Sequence, residues 1–163
     1  MPKRRPKKKD RLLYPSVGPL PAKYAGRFAG HVLVFSDASE KRHGGQAAVI
    51  FADPAGEPEI SSRTTALIGS NEQELQAALF ALQLAGNRFP EARLALFSDN
   101  LDAVNRLQRA KMLGLADDGE LAQMLAGLDS APLLERAEIS WIKAHATCRG
   151  NRLADLHAAL AAA

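Results

Sequence analysis

Four acidic side chains occupy positions that packing alone explains poorly. Asp37 and Asp99 each end a strongly apolar, strand-like run, Glu74 lies in a helical run, and Asp155 lies near the C-terminus. Aspartate is a poor strand former and is rarely buried unpaired, so a carboxylate at a strand end indicates a role other than packing. Carboxylates held close together become favourable when divalent cations neutralise their charge. The four residues therefore predict a metal site.

The elements that must position these side chains can be read from the apolar patterning. The helical spacing of Leu75, Ala78 and Leu82 predicts a helix that Ser70 or Asn71 could cap. Three strands in succession, then alternating helices and strands, predict an α/β fold with a five-stranded mixed sheet flanked by helices. The predicted strands cover residues 31–37, 46–52, 58–67, 92–98 and 138–142, and the predicted helices cover 71–88, 100–110, 118–128 and 149–162.

The N-terminal region differs from the rest of the chain. Prolines and glycines across residues 1–29 argue against helix or sheet, so we interpret this region as a flexible arm and residues 30–163 as one folded domain. Residues 1–11 hold seven Lys and Arg against one Asp, a charge of +6 in a chain whose net charge is +3. Such a cluster is either a solvated tail or a surface that binds nucleic-acid phosphates.

Composition excludes several other classes of protein. Cys148 is the only cysteine, which excludes an intramolecular disulfide and favours a reducing compartment. We expect a soluble cytoplasmic protein, because the chain has neither a long apolar span nor an apolar run after its basic N-terminus. His145, Cys148 and His157 do not form a convincing zinc motif, because a fourth ligand is missing and the acidic residues favour oxygen-rich metal chemistry.

Several motifs in order resemble the type 1 ribonuclease H family over residues 31–160. Each motif is weak alone, but their order and their placement on matching elements make the set specific. The matching segments are Phe35-Ser-Asp-Ala-Ser39, Gly44-Gly45, Asn71-Glu-Gln-Glu-Leu-Gln-Ala-Ala78, Leu96-Phe-Ser-Asp-Asn100, Trp141-Ile-Lys-Ala-His-Ala146 and Asn151-Arg-Leu-Ala-Asp155. The resemblance implies the ribonuclease H-like fold and hydrolysis of the RNA strand of RNA–DNA hybrids, leaving 5′-phosphate and 3′-hydroxyl ends.

The resemblance also implies roles for particular residues. Asp37, Glu74, Asp99 and Asp155 match the family's carboxylates for two Mg²⁺ ions, with Mn²⁺ as the alternative. Asp37 would bridge both ions, Asp155 would complete the ion that activates water, and Glu74 with Asp99 would complete the other. Glu72 competes with Glu74, but the two lie about 200° apart around a helix, and only Glu74 precedes the Leu-Gln-Ala-Ala segment. His145 matches a loop histidine that assists proton movement or product release.

A second group of residues is predicted to contact nucleic acid, with no membrane and no obligate protein partner expected. This group comprises Ser39, Asn71, Asn100, Asn151, Lys41, Arg42, Lys7, Lys8 and Lys9. Asn151 could instead hold the His145 loop or cap the last helix. The loop of residues 38–43 is shorter than is common in the family, and Lys41, Arg42 and His43 would supply charge in place of lost contacts.

Two further features of the sequence bear on the function. The chain lacks the family's basic, tryptophan-bearing handle, so we expect the N-terminal arm to hold duplex in its place, and we expect Trp141 to be core or near-core on the fifth strand. Two alternatives remain open: another nuclease of the superfamily, such as a junction resolvase or an exonuclease, and a non-catalytic nucleic-acid-binding module. Ser39 counts against an exonuclease, which usually has a second acid at this position.

Overall fold

The computed structural model describes residues 18–21, 24, 26–126, 130–143 and 148–163. Within these residues, five strands form one sheet with the order β3-β2-β1-β4-β5. The β1–β2 and β2–β3 pairs are antiparallel, whereas β1–β4 and β4–β5 are parallel, so the predicted mixed five-stranded sheet is confirmed. The strands are β1 Val32–Glu40, β2 Gly44–Phe51, β3 Glu59–Thr65, β4 Leu94–Ser98 and β5 Ala137–Trp141.

In the described part of the chain five helices accompany the sheet, one more than the sequence predicted. They are α1 Ser70–Arg88, α2 Leu101–Leu113, α3 Gly119–Leu125, α4 Ser130–Arg136 and α5 Arg149–Ala162. The unpredicted helix, α4, carries Pro132 in its first turn, where proline is tolerated. Its seven residues are too few for a helical pattern to be recognised in the sequence. No helix among the described residues is long and apolar enough to cross a membrane.

The two faces of the sheet bury two separate clusters of side chains. Val32 and Val34 of β1 pack into the cluster that contains the buried residues of α1 and α2. Leu33 and Phe35 point to the opposite face and pack with Phe97 of β4 and with α5. Because side chains alternate along a strand, Asp37 follows Phe35 on the face that α5 covers.

Strand β1 is longer than predicted, and this corrects two expectations. It continues through Glu40, so Asp37 lies within the strand rather than at its end, and the loop consists of residues 41–43 rather than 38–43. The extension pairs with Gly44 and Gly45 of β2. A side chain at Gly45 would collide with the backbone of α5, so glycine lets that helix pack directly against the hairpin.

The segment before β1 packs against the domain although it contains no α-helix or strand among its described residues. Leu20 and Phe28 are buried with the aromatic side chains on the α5 face, and the Phe28 ring meets the Phe97 ring edge-on at 4.9 Å. The sequence did not predict this packing. The division of the chain between residues 29 and 30 remains a prediction, and the basic cluster of residues 1–11 lies outside the described residues.

Three expectations about individual residues are wrong. Neither Ser70 nor Asn71 caps α1, because the N-cap residue is Gly69, which has no side chain that could accept a hydrogen bond. Asn151 does not cap α5 either; Cys148 holds the N-cap position and Asn151 is buried in the first turn. Trp141 is 46% exposed, because it ends β5, the edge strand of the sheet, and belongs to neither core cluster.

Candidate active site

Three of the predicted acidic residues meet at one point of the fold. Carboxylate oxygens of Asp37, Glu74 and Asp99 lie within 4.8 Å of one another. The parallel register pairs Phe35 of β1 with Phe97 of β4. Asp37 and Asp99 each lie two residues after these partners, so they come side by side. Glu74 reaches the pair from the second turn of α1. The meeting point therefore depends on one strand pair and one helix.

The two glutamates at the start of α1 point in different directions. Glu74 is close enough to Asp37 for a side-chain hydrogen bond. Glu72 instead forms an ion pair with Arg106 of α2, with 3.0 Å between its Oε1 and the guanidinium. This separation agrees with the helical geometry, which predicts that the two glutamates cannot face the same site.

Burial and mutual repulsion make the carboxylates hard to ionise together. Burial, followed by the charge of Asp99, raises the pKa of Asp37 from 3.8 to about 7. Burial, followed by the charges of Asp37 and Asp99, raises the pKa of Glu74 from 4.5 to about 10. The Asp37–Glu74 pair therefore retains a proton near neutral pH in the absence of a cation.

The donor set fits a hard divalent cation. Mg²⁺ and Mn²⁺ prefer carboxylate oxygens, and the three side chains offer oxygens only. Glu74 Oε2 is buried and has no hydrogen-bond partner among the described residues. An unsatisfied buried oxygen is costly, and a cation would satisfy it. The residues present therefore match the predicted metal.

The fourth predicted acid lies at the margin of this group. Asp155 is exposed on α5, and its carboxylate is not one of the three that meet within 4.8 Å. Its charge nevertheless contributes to the raised pKa of Asp37, so it acts on the same group of carboxylates. The structure thus brings three acids into contact distance and places the fourth within electrostatic range.

The loop between β5 and α5 carries the remaining predicted catalytic residue, His145, which lies outside the described residues. Cys148, at the end of that loop, is buried, and burial raises the pKa of its thiol. A raised thiol pKa disfavours the thiolate that zinc would need, so the geometry adds nothing to a zinc interpretation.

The predicted nucleic-acid contacts divide into three groups. Asn71 and Asn100 meet at the starts of α1 and α2: Asn100 Nδ2 donates to Asn71 Oδ1 at 3.2 Å, and Asn100 Oδ1 caps α2 by accepting from Ala103 N–H. Ser39 is half-buried near the end of β1, with Lys41 and Arg42 exposed beyond it. Asn151 is buried, and Lys7, Lys8 and Lys9 lie outside the described residues.

One contact at the site was missed by the sequence reasoning. Trp141 Nε1 donates a hydrogen bond to the backbone carbonyl of Asp99 at 3.0 Å. The register of β4 and β5, which pairs Ser98 with Trp141, brings the indole to this position. The available signal was the place of Trp141 at the start of the Trp-Ile-Lys-Ala-His segment, but its aromatic character suggested a core residue instead.

Comparison with known proteins identifies the family. The RNase H family model matches residues 29–163. The chain belongs to the RNase H family. It is accordingly a ribonuclease H hydrolase, and nucleic acid is its partner. A search of curated protein sequences found no match.

Solved structures of RNase H proteins and related enzymes share the fold. RNase H1 from the halophilic archaeon Halobacterium salinarum NRC-1 is 17% identical with a TM-score of 0.57, over 81% of this chain and 97% of that one. The foamy viral protease-reverse transcriptase in complex with dsDNA is 17% identical with a TM-score of 0.64, over 83% of this chain and 96% of that one. At this identity the similarity concerns the fold alone, which is the ribonuclease H-like fold predicted from the sequence.

Proposed function

We propose that this RNase H family chain is an endoribonuclease that uses two divalent cations to hydrolyse the RNA strand of RNA–DNA hybrids. The products would carry 5′-phosphate and 3′-hydroxyl ends. The observation that carries the proposal is the meeting of Asp37, Glu74 and Asp99 within 4.8 Å, with an unsatisfied oxygen on Glu74. Mg²⁺ is the proposed cation and Mn²⁺ the alternative.

The proposed roles follow from the positions of the described acids and, for His145, from the family resemblance. Bound cations would activate a water, neutralise charge on the phosphate and stabilise the leaving oxygen. Asp37, Glu74 and Asp99 would hold them, and Asp155 would complete the set from the exposed face of α5. His145, on the loop just before α5, would move a proton at the reacting phosphate.

Recognition of the hybrid is proposed to involve the surface around the carboxylates. RNA is distinguished by its 2′-hydroxyl groups in a wide minor groove, which amide and hydroxyl side chains can contact. Asn71 and Asn100 offer amides, Ser39 offers a hydroxyl, and Lys41 with Arg42 would contact phosphates. The buried Asn151 would support the start of α5.

Like the role of His145, the roles of the N-terminal arm and the proposed compartment rest on sequence alone. The basic arm, with Lys7, Lys8 and Lys9, would bind phosphates by counterion release. The cytoplasm is the proposed compartment because Cys148 is the only cysteine of the chain.

Cleavage of end-labelled duplexes in Mg²⁺ tests the function. RNA–DNA hybrid, double-stranded RNA, double-stranded DNA and a four-way junction are compared, with wild type, Asp99→Asn and Asp102→Asn. Asp102 is a matched control, because it is an exposed acid three residues away in the first turn of α2. We expect cutting of the RNA strand of the hybrid alone, lost in Asp99→Asn and retained in Asp102→Asn. Cutting of the junction or of DNA would replace the proposal with another nuclease activity, and binding without cutting would indicate a non-catalytic module.

A further inference from the structure

One carboxylate joins the end of β1 to the beginning of α1. Glu40 Oε2 accepts hydrogen bonds from Ile68 N–H at 2.8 Å and from Gln73 Nε2 at 3.0 Å, and Glu40 Oε1 accepts from Gly69 N–H at 3.1 Å. Helix α1 has no side-chain cap of its own at Gly69. Glu40 therefore supplies, from another element, the acceptor and the negative charge that favour a helix N-terminus.

The partner of Glu40 on α1 is a completely buried glutamine. Gln73 Nε2 donates to Glu40 and to Ala66 O, and Gln73 Oε1 accepts from Gln46 Nε2 at 2.7 Å and Thr65 Oγ1 at 3.0 Å. These four bonds use both donors and both acceptors of the amide. Buried polar groups are costly unless every member is satisfied, and here the Gln73 amide is fully satisfied.

The surrounding chain is shaped around this amide. A side chain on Gly44 would collide with Gln73 Nε2, Thr65 Oγ1 and the Ala66 carbonyl. The other side of Gln46 is held by Arg63, whose Nε donates to Gln46 Oε1 at 2.7 Å. If Gln73 were apolar, neither Gly44 nor the hydrogen-bonding side chains around it would be needed. Packing alone therefore does not account for the network.

The two ends of the network lie close in sequence to two carboxylates of the candidate metal site, Asp37 and Glu74. Glu40 is three residues after Asp37 on β1, and Gln73 immediately precedes Glu74 on α1. We propose that Glu40 and Gln73 are positioning residues that fix Glu74 relative to Asp37, so that their oxygens are already placed for a cation. The inference rests on the proposed function, because it assumes that these carboxylates bind the cation that cleavage requires.

Two variants test the role of the network. Glu40→Gln turns one accepting oxygen into a donor that faces the backbone N–H groups of residues 68 and 69. Gln73→Met keeps the approximate volume but removes all four hydrogen bonds. Loss of groups that orient metal ligands commonly lowers metal affinity by about 10–100-fold, so we expect the dissociation constant for Mn²⁺ to rise at least about tenfold in each.

Glu59→Gln is the matched control. Glu59 is a glutamate on the same sheet, but it pairs with Ile50 at the other end of β2 from Gly44, the partner of Glu40. Binding of Mn²⁺ to the protein without nucleic acid is measured by isothermal titration calorimetry, and circular dichroism checks folding. Glu40→Asp, which keeps the charge on a shorter side chain, should recover part of the affinity, and Gln73→Met carries the test if Glu40→Gln does not fold.

The outcomes separate this inference from the proposed function. Mn²⁺ affinities within twofold of wild type in folded Glu40→Gln and Gln73→Met would overturn the inference, as would an equal loss in Glu59→Gln. Cleavage of hybrid at saturating Mn²⁺ should persist in both network variants, because Gln73 is buried and neither side chain is one of the proposed substrate contacts. A wild-type protein that binds Mn²⁺ but cuts no hybrid would count against the proposed function alone, since the inference is measured by cation binding.

Discussion

Replacing Asp37 by asparagine should stabilise the metal-free protein at pH 8, although it removes a residue of the candidate site. Burial and the charge of Asp99 raise the pKa of Asp37 from 3.8 to about 7. A carboxyl whose pKa is higher in the folded protein than in the unfolded chain stabilises the fold in its protonated form. This contribution is fully present below the unfolded-state pKa and is lost as the pH rises through the folded-state pKa. Each step of one in pKa corresponds to about 1.4 kcal/mol, so ionised Asp37 lowers the free energy of unfolding by about 4 kcal/mol at pH 8.

Asparagine avoids this loss because it is neutral, and its Oδ1 can still accept the hydrogen bond from Ala38 N–H. We therefore expect the Asp37→Asn variant to gain about 2–4 kcal/mol at pH 8, which corresponds to a Tm higher by roughly 5–15 °C in a domain of this size. The gain should disappear near pH 4, where the wild-type carboxyl is protonated.

Thermal unfolding in EDTA, followed by circular dichroism at pH 4, 6 and 8, measures the effect. Asp53→Asn is a matched control, because Asp53 is exposed and also accepts a hydrogen bond from a nearby backbone N–H, that of Ala55. Mg²⁺ should offset this gain: at a hundred to a thousand times its dissociation constant it stabilises a binding protein by about 2.7–4.1 kcal/mol, and the variant should gain little. A variant no more stable than wild type at pH 8 in EDTA would refute the electrostatic reasoning.

Three further predictions concern the cation, the core and the arm. Because the pKa of Glu74 is about 10, cation binding should release a proton, which calorimetry in buffers of different ionisation enthalpy measures. The affinity for the cation should rise up to about tenfold for each pH unit between pH 7 and 9. Gly150→Ala should lower the free energy of unfolding by about 1–3 kcal/mol in a urea titration, because the new methyl group would collide with the Phe35 ring, whereas Gly119→Ala has open space and should change it little. Replacing the three lysines at 7–9 by glutamine should weaken hybrid binding and reduce its salt dependence by a slope of about 2–3, and unchanged binding would show that the arm does not contact phosphates.

Local patterns in the sequence determined most of the fold. Strand β2 appears as a short apolar run and α1 as an apolar stripe at helical spacing, because each signal depends only on residues close together in the chain. Helical geometry in the same way predicts that Glu72 and Glu74 cannot face one site, and the family resemblance then selects Glu74. Helix α4 escaped prediction because seven residues with an internal proline carry too little periodicity.

The arrangement of the site was decided only by the tertiary structure. Asp37 and Glu74 become difficult to ionise because β1, α1 and the end of β4 bury them together. That burial cannot be predicted from any short segment of the sequence. Glu40 reads as an ordinary strand or loop acid until the fold brings the backbone of residues 68 and 69 to it, 28 and 29 residues further along the chain. Trp141 reads as a core residue until the edge position of β5 leaves it exposed beside Asp99. Residue types and spacing identify which groups could do chemistry, but burial, charge and hydrogen-bond partners arise from contacts between distant segments.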